Sequence, residues 1–243
     1  MGHGTPDWWG AAPKETTYAL VDMAELAARL GSVVNYDRTG GVLAIDEFTE
    51  GLTTISDVGA PTQGSVYPSI AGTKGKGIAL CMHALAGAQY SAAFGKYLPF
   101  YVLGGLGIEM SFAFDTNLGY FEYWAYVCDG TNQGISGVRY NHPTGQILVR
   151  DSSGNFQVIG TPGQVYYDPK AFHTLKLVVN TLTGKYVRVR FNGYTYDASA
   201  YTPQVSGWPF EKYIQVIAKI GQTGSSAMIA YVKNMIVTQN ELL

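Results

Sequence analysis

The stretch FHTLKLVVNTLTGKYVRVRFNGYTYD, residues 172–197, carries two alternations joined by a turn. Leu175, Leu177 and Val179 alternate with Lys176 and Val178; beyond TLTG, Val187, Val189 and Phe191 alternate with Arg188 and Arg190. Successive side chains of a strand point to opposite faces, so the pattern predicts a hairpin with one apolar face. Leu175, Leu177, Val179, Val187, Val189 and Phe191 are expected in a core. Lys176, Arg188 and Arg190 are expected on a solvated outer face, with partner contact as their second use.

The same period of two recurs along the chain. VLAIDEF, GIALCMHALA, GIEMSFAFD, GYFEYWAYVCD, ISGVRYN, QILVRD, NFQVI, QVYY, YIQVIAKIG and AMIAYVKNMIVTQ all read as strands between Gly-, Asn- and Asp-rich turns. In GIEMSFAFD, Ile108, Met110, Phe112 and Phe114 share a face; in YFEYWAYV, Phe121, Tyr123, Ala125 and Val127 oppose Glu122, Trp124 and Tyr126. No segment after residue 31 is helical over a length that would build βαβ crossovers, which removes Rossmann and barrel architectures. An all-β sandwich is the expectation, with residues 42–243 as its domain and residues 1–41 as an N-terminal extended arm with one short helix. The helix is read over Asp22–Gly31: Asp22 and Glu25 form a capping-box-like start, Met23, Leu26, Ala27 and Leu30 make an apolar stripe, and Gly31 terminates it. Trp8 and Trp9 in the arm need something to pack against. Together with Met23, Leu26 and Leu30, they are the candidate assembly contacts.

Composition narrows the function. The chain has 243 residues, 47% hydrophobic and only 14% charged, with 30 glycines and 18 tyrosines. That charge content is below the roughly 25% of an average domain and fits a protein that packs against its own copies or works outside cells. A formal net charge of -2, without a basic tail, argues against nucleic-acid binding. No window reads as a membrane helix and no secretory signal is recognisable, so synthesis in a cytoplasm and release by another route are expected.

Candidate chemistry is sparse. GTKGKGIA, residues 72–79, lacks the Lys-Ser/Thr that a P-loop needs after its last glycine. Glu109, Glu122, Asp46 and Glu47 are the carboxylates a glycosidase would draw on, but no spacing forces two to converge. His3, His83, His142 and His173 have no metal-site spacing, and His173 reads as a half-buried sheet residue with a backbone partner. Cys81 and Cys128 read as small core residues. Asp115 and Asn117 make an Asx turn with too few carboxylates for calcium. No catalytic residue, cofactor or metal ligand is assigned. Aromatic rings are the remaining signal, because outward rings stack on sugars or bury interface area. Tyr120, Trp124, Tyr126, Tyr194 and Tyr196, with Arg188 and Arg190, are the candidate ligand or interface contacts.

From about Val42 to Leu243 the chain resembles the concanavalin A-like lectin/glucanase jelly roll, especially its laminin-G-like relatives. VLAIDEF is similar to the opening strand, FHTLKLVVN to an aromatic-His-x-Leu strand, KYVRVRFNGYTYD to the next strand and its Asn192-Gly193 turn, and AMIAYVKNMIVTQ to the closing strand beside the first. The resemblance implies a jelly-roll β-sandwich. Its glucanase branch carries a Glu-x-Asp-x-(x)-Glu motif; here Met110 and Ser111 follow Glu109, and Tyr123 and Trp124 follow Glu122. Arm, helix and sandwich together resemble structural proteins of tailed-phage or virus-like particles. The resulting expectation is a non-enzymatic virion protein that self-associates through its arm and one sheet face, at the surface of a virion or extracellular particle. The alternative is a carbohydrate-binding module using exposed aromatic residues, and a glycoside hydrolase comes third.

Overall fold

The computed structural model describes residues 40–46, 48, 64–69, 79–84, 91–99, 103–116, 119–221 and 226–243. Fifteen strands account for the regular structure among the described residues: β1 (Gly41–Asp46), β2 (Gly64–Ser69), β3 (Ala79–Ala84), β4 (Ser91–Pro99), β5 (Gly105–Phe114), β6 (Tyr120–Cys128), β7 (Asn132–Asn141), β8 (Gln146–Arg150), β9 (Phe156–Gly160), β10 (His173–Asn180), β11 (Lys185–Phe191), β12 (Tyr194–Asp197), β13 (Gln204–Gly207), β14 (Tyr213–Gly221) and β15 (Met228–Gln239). Sheet I runs β12-β11-β10-β5-β15-β3-β2, with β1 also on β15; sheet II runs β4-β14-β6-β7-β8-β9, with β13 also on β7. Every pairing is antiparallel. The architecture is a two-sheet, jelly-roll-like sandwich.

The expected fold class needs one correction. The described residues form strands, turns and loops and contain no helix, so the sandwich incorporates none. The capping pattern at Asp22–Gly31 is a local signal, and a stripe that short depends on tertiary burial for its stability. That segment, with Trp8, Trp9, Met23, Leu26 and Leu30, lies outside the described residues. No described helix is long and apolar enough to cross a membrane.

The opening hairpin forms as read. Leu175 faces Phe191 and Leu177 faces Val189 across β10 and β11. Leu175, Leu177, Val179, Val189 and Phe191 all enter the core. A bulge between Val178 and Val179 then pairs Val179 with Tyr186, so Tyr186 takes the core position expected of Val187. Asn192 (φ 47°) and Gly193 (φ 91°) form the two-residue turn into β12, both with the positive φ of a type I′ turn.

Aromatic rings fill the space between the sheets. Phe112 of sheet I stacks on Phe121 of sheet II at 4.2 Å, and Phe191 stacks on Tyr140 at 4.8 Å. Three core tyrosines also tie backbone together. The Tyr123 hydroxyl of sheet II lies 2.8 Å from the Ile108 carbonyl and 3.0 Å from that of Leu175, both in sheet I. Conversely, the Tyr186 hydroxyl of sheet I donates to the Arg150 carbonyl at 2.7 Å and accepts from the Gly137 amide at 2.9 Å, both in sheet II. The Tyr140 hydroxyl donates to the Gly163 carbonyl and accepts from the Val165 amide. Buried phenol groups need such partners. QVYY, read as a strand, runs as loop instead, held through those Gly163 and Val165 bonds.

The outer face of sheet I is not wet. Lys176 is 2% exposed, with its ammonium 2.6 Å from the Glu241 carboxylate. Arg188 reaches the same carboxylate at 2.9 Å and donates to the Leu242 carbonyl. Thr238 also donates its hydroxyl to Glu241. Gly107 leaves room for this cluster, because a Cβ there would fall on Thr238 Oγ1 and Glu241 Oε1. Period-two alternation places these side chains outward as expected; the chain's own C-terminus then covers them.

Candidate functional site

Sheet II presents a different surface. Its strand β6 lies between β14 and β7, so the outward side chains of β6 sit amid the sheet. Glu122, Trp124 and Tyr126 occupy alternate positions on this face. Lys219 and Arg139 flank Glu122, Ile217 and Gly137 flank Trp124, and Gln215 and Ile135 flank Tyr126. Trp124, Tyr126, Tyr120, Arg139, Arg150 and Lys219 are all half-buried, which leaves the face open to a ligand.

Glu122 is fully buried and serves as the charge centre. Arg139 donates from Nε at 2.6 Å and approaches with Nη2 at 2.5 Å, both to Oε2; Lys219 stands 3.9 Å from Oε1. Burial raises the Glu122 pKa above the usual carboxylate value, against the lowering pull of Arg139, Lys219 and Arg150. The Arg139 guanidinium is sandwiched between Tyr120 at 4.0 Å and Phe156 at 3.9 Å. Burial and the Glu122 charge push the Tyr120 phenol up to about 12.

Trp124 lies across a glycine. A Cβ at position 137 would stand 3.0 Å from Trp124 Cδ1 and 3.3 Å from the Arg150 Cβ, so glycine lets the indole lie close over β7, and a larger residue would push it outward by a few tenths of an ångström. The Arg150 guanidinium then lies over the indole, 4.8 Å from its centroid. Beneath them, Tyr186 bonds the Gly137 amide and the Arg150 carbonyl and holds this part of the sheet from the core side. The aromatic surface continues from Tyr126, 6.3 Å from Trp124, toward Tyr97 and Tyr213, which meet edge-on at 5.4 Å, and on to Trp208 and Phe210.

The structure separates the sequence-based candidates. Tyr120, Trp124 and Tyr126 gather on the outer face of sheet II. Arg188 and Arg190 stand on the outer face of sheet I, where Arg188 serves Glu241. Tyr194 is 70% exposed at the β11–β12 turn, while Tyr196 packs inward against Gly160. Glu109 and Glu122 point out of opposite sheets, so they cannot flank one sugar bond; Glu122 is the one carboxylate on the described outer face of sheet II. His173 sits half-buried with Nε2 3.2 Å from the Tyr166 carbonyl, and burial lowers its pKa. Cys81 and Cys128 are buried and are not joined in a disulfide. Sequence reasoning missed Arg139, Arg150, Lys219 and Gly137, whose importance lies in cross-strand register. A separate cavity of about 260 Å³ at one end of the sandwich is lined by Leu103, Val127, Ser136, Val179, Thr181 and Val205 among others. At its rim, Asp129 is held below its usual pKa by the amides of Asn132 and Thr131.

No protein-family model matches the sequence, and no curated protein is significantly similar to it. Solved structures do share its fold. A sialidase superposes with a TM-score of 0.54 at 12% identity, over 83% of this chain and 19% of that one. The cellulose-induced protein Cip1 gives 0.56 at 11% identity, over 82% and 98%. The Bacillus licheniformis β-glucanase gives 0.51 at 10% identity, over 82% and 99%. What these structures share with the chain is the two-sheet, jelly-roll-like sandwich. This chain spans only about a fifth of the sialidase but nearly the whole of the other two.

These likenesses overturn the expectation of a non-enzymatic structural protein of a phage or virus particle, and with it the expectation that the chain is no enzyme. The virion reading rested on an arm outside the described residues, on the low charge content and on the absence of any catalytic constellation recognisable as a sequence motif. Such a motif reports one strand, whereas a sheet gathers reactive groups from several strands that lie far apart in sequence.

Proposed function

We propose that this protein acts on carbohydrate and holds its glycan on the outer face of sheet II, around Trp124 and Tyr126. The observation that carries this reading is the half-open aromatic surface running from Trp124 through Tyr126 toward Tyr97 and Tyr213, with charged groups set beside it. Sugar rings present C–H faces that pack on aromatic rings, while their hydroxyls need neighbouring donors and acceptors. Gln133, Gln215 and Arg139 stand within that surface. Glycan-array binding by the intact chain tests the reading. Retention on a glycan class is expected, with a loss of at least ~10-fold in the Trp124→Ala, Tyr126→Ala double variant. Binding unaffected in a folded double variant would overturn it.

A second reading is favoured by Glu122. Buried under this surface with its pKa raised by desolvation, Glu122 would serve as a proton donor to a glycosidic oxygen once a bound glycan displaced Arg139 from it. It predicts that a bound oligosaccharide is cleaved and that Glu122→Gln abolishes cleavage while leaving binding in place. A bound glycan that stays intact over prolonged incubation would dispose of this reading and leave the first standing.

A further inference from the structure

We infer that the glycan held on sheet II is acidic, carrying carboxylate groups that Arg150 receives. This rests on the glycan-binding reading above and adds the substrate class. The first observation is charge. The described outer face of sheet II gathers Arg139, Arg150 and Lys219 against a single carboxylate, Glu122, on a chain whose formal net charge is -2. Arg139 and Lys219 both lean on Glu122. Arg150 makes no ion pair with a carboxylate among the described residues. The neighbouring Asp151 is occupied by the Ser153 and Asn155 amides and by the Gln157 side-chain amide, at 2.8–2.9 Å.

The second observation is hydrogen bonding. Arg150 Nη1 and Trp124 Nε1 are both enclosed donors without an acceptor, and the two groups lie against each other with the guanidinium over the indole. Unmet buried donors are uncommon, and an ionic one is the costlier kind. Both atoms are shielded from solvent, so an incoming oxyanion meets the part of the half-buried Arg150 side chain that stays accessible, and a carboxylate is the acceptor that matches a guanidinium. The third observation is placement. Tyr126 lies beside Trp124 and close enough to Arg150 to feel its charge. In an acidic sugar the carboxylate projects from the edge of its ring, so a ring resting on Tyr126 offers that carboxylate sideways to the guanidinium. A neutral sugar would leave that guanidinium only its share of the Glu122 charge, on which Arg139 and Lys219 act more strongly.

The experiment uses the full chain on an array pairing uronate-containing and sialylated oligosaccharides with their methyl-esterified or neutral counterparts, plus a sulfated set. Expected is retention of carboxylated glycans at least ~10-fold above their neutral partners, weakened by high salt and lost in Arg150→Gln. Thermal unfolding of Arg150→Gln checks that it folds, and Lys219→Gln, a milder change at the rim, provides a second reading of charge. Equal or better retention of neutral counterparts would overturn the acidic assignment while the glycan reading stands, and binding of sulfated glycans alone would overturn the carboxylate. Failure of every glycan to bind would overturn both.

Discussion

The two outer faces of this sandwich are built from the same alternation yet end in opposite states. On sheet I, Lys176 and Arg188 converge on Glu241, and Thr238 completes the set. On sheet II, Arg139 and Lys219 share Glu122, while Arg150 lies on Trp124 with no carboxylate of the described residues in ion-pair contact. The first face spends its polar groups on the chain's own C-terminus; the second leaves some unspent. An outward position therefore says where a side chain points, and the rest of the fold decides whether water, the chain itself or a ligand meets it.

Breaking the closed face should have the largest effect. Glu241→Ala removes the buried carboxylate that Lys176 and Arg188 share and should cost about 3–5 kcal/mol of stability in urea unfolding; a loss under about 1 kcal/mol would show that the cluster is solvated after all. Tyr186→Phe removes a hydroxyl that serves Gly137 and Arg150 from beneath the open face. It should cost about 1–3 kcal/mol by leaving buried backbone groups unmet, and should also weaken glycan binding by loosening Arg150. Stability and binding moving independently in this variant would contradict that link.

The pH dependence sharpens the comparison at Glu122. Its native pKa is raised from 4.5, so the folded protein holds that proton more tightly than the unfolded chain. The stability of the wild type relative to Glu122→Gln should therefore be highest below the unfolded value and fall as pH rises through the native one. Denaturant midpoints of both proteins across acidic to neutral pH measure this difference. A difference that grew with pH would mean that the Arg139 pair, not burial, governs the carboxyl. The smallest stability effect should come from the open face: Tyr126→Ala is expected to cost about 1 kcal/mol or less, yet to weaken glycan binding measurably by calorimetry.

Much of the sandwich is legible in the chain because burial between two sheets imposes a period of two. The hairpin of residues 172–197 and the inward Phe121, Tyr123, Ala125 and Val127 follow from it, whereas the pairing of the closing strand with the first was implied by the resemblance to the jelly roll. Strands β2 and β4 escaped notice because GSVYPS and SAAFGKYLP carry the Ser, Ala, Gly and Pro of turns, and their pairing supplies what propensity does not. The wet or dry state of the outer faces was not legible. Glu241 meets Lys176 across a long stretch of chain, and no local pattern announces that contact. The candidate site was half legible: Trp124 and Tyr126 stood out as aromatics, whereas Gly137 and Arg150 acquire meaning only through the register of β6, β7 and β8.

The central claim is that recognition belongs to the outer face of sheet II. Backbone amide chemical-shift mapping of the isotope-labelled chain during glycan titration tests it most directly. The account predicts that shifts concentrate at Glu122, Trp124, Tyr126, Gly137, Arg139 and Arg150. Shifts confined to β10–β12, or to the cavity beside Val179 and Thr181, would contradict it.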